Sequence, residues 1–343
     1  MRPIASPRVV LACLALLLGA ACTPVVMPMG PAIAPPALAQ DAVVAADGAR
    51  LPMRAFPPDG RADGVPPRAV LLALHGFNDH SGNFLTDSIG QLNAGGLLVY
   101  AYDQRGFGRS PNRGYWPGEA TLAEDAATAA RLLRARHPGL PLFLMGESMG
   151  GAVAVVAGTS ADPPPVDGYV LLAPALWGRA SMNAVMRGGL WVAARTMPIL
   201  GFQGGVGGIV ASDNMAALRR LGRDPLVLRS TRVDAAVGLV DLMDAATAAL
   251  PTCCRDAAQR PVPVLLLYGD KDSLIPARPV RRALNALPPD SPVRIGIHEE
   301  GFHLLLTDSN RAAVVGDILA FTADPAAPLP SGADRFSREW LAR

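Results

Sequence analysis

Short, unbroken apolar runs separated by stretches with helical spacing constrain this chain more than any other feature. Residues 69–74, 97–102, 142–146 and 169–173 lack the alternation of a half-exposed strand, so each reads as a strand buried on both faces. Between them, 83–94, 122–136 and 149–159 read as helices. Such alternation implies a mostly parallel sheet covered by helices on both sides. It breaks near Pro174 and resumes with a strand at 262–268, a helix at 277–287, a strand at 293–298 and a helix at 311–321. The interval 174–258 therefore reads as an insertion. Its helical stretches, 180–194, 214–221 and 233–249, and its glycine-rich apolar loop 201–210 suggest a cap over the carboxyl ends of the strands, where such sheets carry their chemistry. The expected division is a core in two parts, 43–173 and 259–325, opened by a short hairpin around Asp47-Gly48 and closed by a surface tail at 326–343.

One tripartite signal falls at a strand-to-helix junction. Gly146-Glu147-Ser148-Met149-Gly150 is a G-x-S-x-G sequence that ends the apolar run LFLM and opens the small-residue run GAVAVVAG. A serine on so sharp a turn is exposed at a helix N-terminus, and only small neighbours let the turn close. This is the nucleophile elbow of the α/β-hydrolase fold. G-x-S-x-G recurs by chance in a chain with 35 glycines, so the flanking strand and helix carry the assignment.

A serine hydroxyl needs a base, and the base needs an orienting carboxylate. The chain has five histidines. His137 precedes a proline at a helix end and reads as a cap or surface residue, and His75 and His80 precede the nucleophile in a glycine-containing turn. The order Ser, acid, His leaves His298, which closes a strand, and His303, which lies in a loop before the last core helix; the loop position favours His303. For the acid, Asp270 and Asp272 both follow the strand 262–268. The spacing G-x-x-D-x-x-x-P from Gly269 to Pro276 selects Asp272 and leaves Asp270 as a turn former. Oxyanion stabilisation calls for two backbone N–H donors, assigned to Met149, after the nucleophile, and Phe77, in the loop after the strand 69–74. A metal reading of His75, Asp79 and His80 lacks ligands, so neither metal nor cofactor is expected.

Outside the core, Arg2 and Arg8 precede the apolar run from Val9 to Ala21, an export signal too short to span a bilayer. Those two arginines account for the formal charge of +2, and the neutral remainder argues against a nucleic-acid partner. The signal ends in LLLGAAC and resembles the lipobox of bacterial lipoproteins, with Gly19 where a larger aliphatic is usual. That resemblance implies a lipidated Cys22 at the start of the mature chain, a membrane anchor, and, with Thr23 rather than Asp next, the outer membrane. The rival is a soluble exported protein cut after Ala39, at Ala37-Leu38-Ala39. Residues 22–42, rich in Pro and Ala without periodicity, read as an extended tether. Cys253 and Cys254 are adjacent and without other partners, so they read as two small residues at the edge of the insertion, neither paired nor metal-bound.

Five stretches then point to one family. Leu74-His75-Gly76-Phe77-Asn78-Asp79-His80-Ser81-Gly82, YDQRGFGRS at 102–110, GESMGG at 146–151, YGDKDSLIP at 268–276 and GFH at 301–303 together resemble the monoacylglycerol lipase and lysophospholipase group of α/β-hydrolases, which is serine aminopeptidase-like. The resemblance implies hydrolysis of monoacylglycerols, lysophospholipids or similar lipid-like esters, with the acyl chain entering beneath an apolar cap. Trp177, Met182, Met186, Leu190, Trp191, Ile199, Leu200 and Phe202 offer a tunnel lining, with plain core packing as the alternative. An exported amidase or peptidase would use the same triad, and a non-catalytic envelope lipoprotein would lack it. No protein partner is legible.

Overall fold

The computed structural model describes residues 23–58, 66–203 and 210–343. The export signal and Cys22 lie outside the described residues, as does most of the glycine-rich loop 201–210. Among the described residues, no helix is long and apolar enough to cross a membrane.

The apolar runs form one nine-stranded sheet. Its strands are β1 (Ala37–Leu38), β2 (Ala42–Val44), β3 (Arg50–Phe56), β4 (Ala69–Leu74), β5 (Leu97–Tyr102), β6 (Leu142–Glu147), β7 (Gly168–Leu172), β10 (Val264–Gly269) and β11 (Val293–His298); the short strands β8 (Gly201–Phe202) and β9 (Thr231–Arg232) pair separately. The order is β1-β2-β3-β5-β4-β6-β7-β10-β11. Every neighbour from β5 to β11 is parallel, and β1, β2 and β3 add an antiparallel edge that includes the hairpin around Asp47-Gly48.

Unbroken apolar composition is explained by burial on both faces. In β4, Val70, Leu72 and Leu74 join one core, while Ala69, Leu71 and Ala73 join the other. Successive strand side chains point to opposite faces, so neither face tolerates a polar residue. The described helices are α1 (Ile89–Ala94), α2 (Glu119–Arg136), α3 (Met149–Gly158), α4 (Ala184–Thr196), α5 (Met215–Leu221), α6 (Val233–Ala249), α7 (Ala277–Asn285), α8 (Arg311–Ala323) and α9 (Ala333–Ala342). The face of the sheet bearing Val70 is covered by α2, α3 and α7, with α6 packed on α3, and the other by α1 and α8. In α2, Leu122, Ala126, Ala129 and Leu133 recur at helical spacing and are buried. Between β7 and β10, α4, α5 and α6 form the helical insertion above the carboxyl ends of the parallel strands.

The structure corrects four expectations. The helix expected at 83–94 is confined to Ile89–Ala94. Upstream, Asn83 donates to Asp79, Thr86 Oγ1 to Gly82 O, and Ser88 Oγ to Leu306 O, so polar side chains take up local groups in turns. The segment expected as a free tether is extended but docked. Val26 bridges to Trp116, and the N–H groups of Met27, Met29 and Val25 donate to Trp116 O (2.8 Å), Thr121 Oγ1 (3.0 Å) and Asp234 Oδ2 (3.2 Å). Cys253 and Cys254, expected to be unpaired, are joined as a buried disulfide across a cis peptide bond.

The expected surface tail instead contains α9, which packs on β11. Its Trp340 is fully buried, lies 5.3 Å from the ring of Tyr268, and donates Nε1–H to Asp270. Arg281 covers the same indole at 4.4 Å. Removing a buried indole leaves a large cavity and takes the Nε1–H donor from Asp270, so Trp340→Ala is expected to cost about 3–5 kcal/mol. A fall in the urea midpoint, with an unchanged slope, is the corresponding measurement.

Candidate active site

A single residue, Ser148, separates the end of β6 from the start of α3. Ser148 adopts φ 53° and ψ −113°, a conformation that an L-residue keeps only when its surroundings impose it. Those surroundings are identifiable. A Cβ on Gly146 would strike the backbone of Gly150, and one on Gly150 would strike Leu74 O, so neither position admits a side chain. Ser148 N–H donates to Leu172 O (2.9 Å), and Ser148 O accepts from the N–H of Ala152 and of Ala175 (3.1 and 3.0 Å).

Two strands along the sheet, the loop after β10 carries Asp272 and the loop after β11 carries His303. The structure brings these two together: His303 Nδ1 lies 2.7 Å from Asp272 Oδ2. A carboxylate only accepts, so Nδ1 bears the proton and Nε2 keeps its lone pair. Asp272 Oδ1 accepts from the N–H groups of Leu274 (2.8 Å) and Ile275 (2.9 Å), which fixes its plane. The loops can approach because Gly269 and Gly301 pack backbone to backbone. Lys271 N–H donates to Gly301 O at 2.9 Å. Asp270 turns the other way, towards Trp340 and Arg343. Ser148, Asp272 and His303 are 8, 6 and 2 % exposed, so the chemistry is shielded from bulk water.

Phe77 lies on the loop after β4, beside the serine. Gly76 runs so close that a Cβ there would sit 3.5 Å from Ser148 Cβ, and Asn78 turns the chain with φ 65°. Neither the Phe77 N–H nor the Met149 N–H is engaged in a hydrogen bond among the described residues. Free donors on two sides of a serine are what a developing oxyanion requires.

The remaining histidines have other partners. His75 is fully buried between Gly76 O (2.8 Å) and Gln104 N–H (3.0 Å), and burial pushes its pKa down to about 4. His80 Nε2 lies 3.0 Å from Asp224 Oδ2, and Asp79 accepts from His80 N–H and the amide of Asn83, so these residues serve loop structure. His298 faces Asp317 at 3.2 Å, and His137 meets the hydroxyl of Tyr100 at 2.9 Å.

Sequence reasoning missed the residues that tie the cap to the histidine loop. Asp308 Oδ2 accepts from Phe302 N–H (2.7 Å), and its Oδ1 accepts from Ser212 Oγ (2.6 Å), a cap residue. Leu304 N–H donates to Ala211 O (2.9 Å), and Asn214 Nδ2 donates to Thr307 O (3.0 Å). On the oxyanion side, Leu228 N–H donates to Asn78 O (2.9 Å), and Asn78 Nδ2 donates to Thr231 Oγ1 (2.8 Å). The cap thus clasps both loops that flank the serine. An acid five residues beyond His303, beside the turn formers Thr307, Ser309 and Asn310, carries no periodic signal in sequence.

The proposed tunnel lining divides. Trp177, Met182 and Leu190 pack against the core, whereas Met186, Trp191, Ile199, Leu200 and Phe202 face outwards, neither tunnel nor core. Outward placement follows from α4 resting on α6 along one narrow side, with Ala194 its only buried residue.

A serine on a strand-to-helix elbow, with an acid and a histidine paired beyond later strands of a parallel sheet, defines a serine hydrolase of the α/β-hydrolase fold. The model of the serine aminopeptidase, S33 family (Hydrolase_4) matches residues 65–310, and the chain belongs to that family. It is 28 % identical over 261 residues to the monoacylglycerol lipase of Mycolicibacterium smegmatis, covering 74 % of this chain and 88 % of that one. It is also 28 % identical over 277 residues to the human monoglyceride lipase, covering 77 % and 82 %. Among solved structures, the monoacylglycerol lipase of Paleococcus ferrophilus superposes with a TM-score of 0.57 at 26 % identity, over 85 % of this chain and 98 % of that chain.

Burial raises Asp308 from 3.8 to about 6. A carboxyl whose folded pKa is raised binds its proton more tightly when folded. Its stabilising contribution is full below the unfolded pKa and is lost as pH rises through about 6. In Asp308→Asn, the decline of the urea midpoint between about pH 4 and pH 6 should therefore be shallower than in the parent.

Proposed function

We propose that this enzyme hydrolyses carboxylic esters of monoacylglycerol or lysophospholipid type. The His303–Asp272 hydrogen bond, on the same carboxyl edge of the sheet as a strained serine, is the observation that carries the reading; the monoacylglycerol lipase relatives point to the substrate class. Ser148 Oγ attacks the ester carbonyl while His303 Nε2 accepts its proton, and Asp272 holds the imidazole in the tautomer that leaves Nε2 free. The N–H groups of Phe77 and Met149 take the oxyanion. His303 then returns the proton to the leaving alcohol, and a water, deprotonated by the same imidazole, releases the fatty acid. The family description favours one competitor, an amino-terminal amide as substrate.

The same reading places the mature chain in the cell envelope of a bacterium, held by acyl chains on Cys22, with the outer membrane as the expected location. The docked segment supports an anchor at residue 22 over cleavage after Ala39. Cleavage there would remove the backbone that pairs with Trp116, Thr121 and Asp234 and would strip β1 from its partner β2.

Ser148→Ala should abolish fluorophosphonate labelling and lower kcat by about 10⁴-fold or more, and Asp272→Asn should lower kcat by about 10³- to 10⁴-fold with an intact fold. Labelling that survives Ser148→Ala removes the serine from its role. In a panel of p-nitrophenyl esters, monoacylglycerol, lysophosphatidylcholine and aminoacyl amides, the lipid esters should lead in kcat/KM; a lead for the amides would select the peptidase. Cys22→Ser should end incorporation of labelled palmitate and release the protein from the membrane fraction.

A further inference from the structure

We infer that the N-terminal segment is a strap that holds the exposed apolar edge of the cap against the bilayer in which Cys22 is anchored. The inference rests on the lipid-anchored reading of Cys22 and goes beyond it, because an anchor alone leaves orientation undetermined.

The first described residues do not leave the domain at an arbitrary point. Val25 N–H donates to Asp234 Oδ2, a carboxylate buried in the first turn of α6. At that turn the N–H groups of Asp234 and Val233 donate to Pro198 O (2.9 Å) and Leu200 O (3.0 Å). Three residues of chain, each spanning at most about 3.6 Å when extended, separate an anchor at position 22 from that hydrogen bond, a leash of about 11 Å at most. Acyl chains attached there enter the bilayer beside residues 198–202.

That surface is suited to lipid. Ile199 and Leu200 are 65 and 54 % exposed, and the neighbouring α4 exposes Val185 at 84 % and Trp191 at 58 %. Helix α4 carries Arg187 and Arg195 and no acid. The guanidinium of Arg195 lies 4.2 Å from the Trp191 ring centroid. Exposed aliphatics, an indole and cations without anions are the composition of a helix lying in a phospholipid headgroup layer. A patch of this kind facing water would be a liability for a monomer. Acyl chains alone leave the bound protein free to turn, and a second contact on the same side adds to the binding and sets the orientation. The cap, which clasps the loops of Ser148 and His303, then faces the surface that supplies lipid esters.

The test uses the full acylated chain in phosphatidylethanolamine–phosphatidylglycerol vesicles, labelled with an environment-sensitive fluorophore at Ile199→Cys or, as a control at the opposite end of the strands, Asp162→Cys. The label at 199 should shift to the blue and be quenched by lipid-borne spin labels; the label at 162 should stay aqueous. Inserting about twelve Gly/Ser residues after Thr23 should abolish most of that shift. It should also lower turnover of vesicle-borne monoacylglycerol about tenfold while leaving a water-soluble short-chain ester unaffected. An aqueous label at 199 in a chain whose N-terminal peptide carries acyl groups overturns the orientation and leaves the anchor intact. An N-terminal peptide without acyl groups overturns the anchor, and the orientation with it. A blue shift at 199 in the Cys22→Ser chain without vesicles, growing with protein concentration, overturns the lipid assignment in favour of self-association.

Discussion

The structure depends on holding one serine in a conformation it would not choose. A non-glycine residue at φ 53° and ψ −113° costs on the order of 1–3 kcal/mol, and it persists only where packing over-determines it. Here the constraint comes from the centre of the sheet. Strand β6 lies between β4 and β7; its Gly146 packs on the backbone of Gly150, and Gly150 in turn packs on Leu74 O at the end of β4. Helix α3 is composed of small and β-branched residues, nearly all buried, so it presses its N-terminus onto the turn. A larger residue anywhere in Gly146-x-Ser148-x-Gly150 would relax the turn and withdraw the hydroxyl. The nine-stranded sheet, with two buried faces, is the frame rigid enough to refuse that relaxation.

The second constraint is that the histidine arrives from elsewhere. Asp272 and His303 sit on loops after β10 and β11, whose parallel pairing from Val264↔Val293 to Gly269↔His298 ends both strands at the same height. Gly269 and Gly301 then let the loops touch. The cap closes the arrangement by hydrogen-bonding to the His303 loop through Ala211, Ser212 and Asn214 and to the Phe77 loop through Leu228 and Thr231. Rearrangement of the cap therefore moves loops that carry the base and one oxyanion donor. Access of substrate and alignment of the machinery are mechanically linked.

Much of this was legible in the residues, and the exceptions share a cause. Strands β4 and β5 fall on their expected spans, because a run buried on both faces has no polar residue to blur its ends, and the half-buried edge strand β11 does so as well. Local pattern also selects Asp272 over Asp270, since the turn spacing encodes which carboxyl faces back; the structure directs Asp270 to Trp340 instead. What sequence did not reveal are partnerships between distant segments. Nothing near Trp340 announces Asp270 as its acceptor, and nothing in the Pro- and Ala-rich stretch after Cys22 announces Trp116, Thr121 and Asp234 as partners for its backbone. Extended segments lack periodicity whether they hang free or dock, and only tertiary contact separates the two. Asp308 is invisible for the same reason, being a turn former by type and a cap tether by placement.

Charge around the site follows from the same geometry. Glu147, Asp79 and Asp308 cluster behind the serine and the histidine with Asp272, and four anions there would bind a proton rather than steer one. Burial, reinforced by the neighbouring Asp79, Asp308 and Asp272, raises Glu147 well above the ordinary carboxylate range, and one of its oxygens has no hydrogen-bond donor. Burial also raises Asp79 to about 6. By contrast, Asp272 accepts hydrogen bonds from two backbone N–H groups and from His303. The carboxyl aligned with His303 is thus held by donors on both oxygens, while Glu147, adjacent to Ser148 in sequence, lacks a donor at one of its own. The upward shift at Glu147 disfavours negative charge beside the place where the oxyanion must form, on the side of the Phe77 and Met149 dipoles.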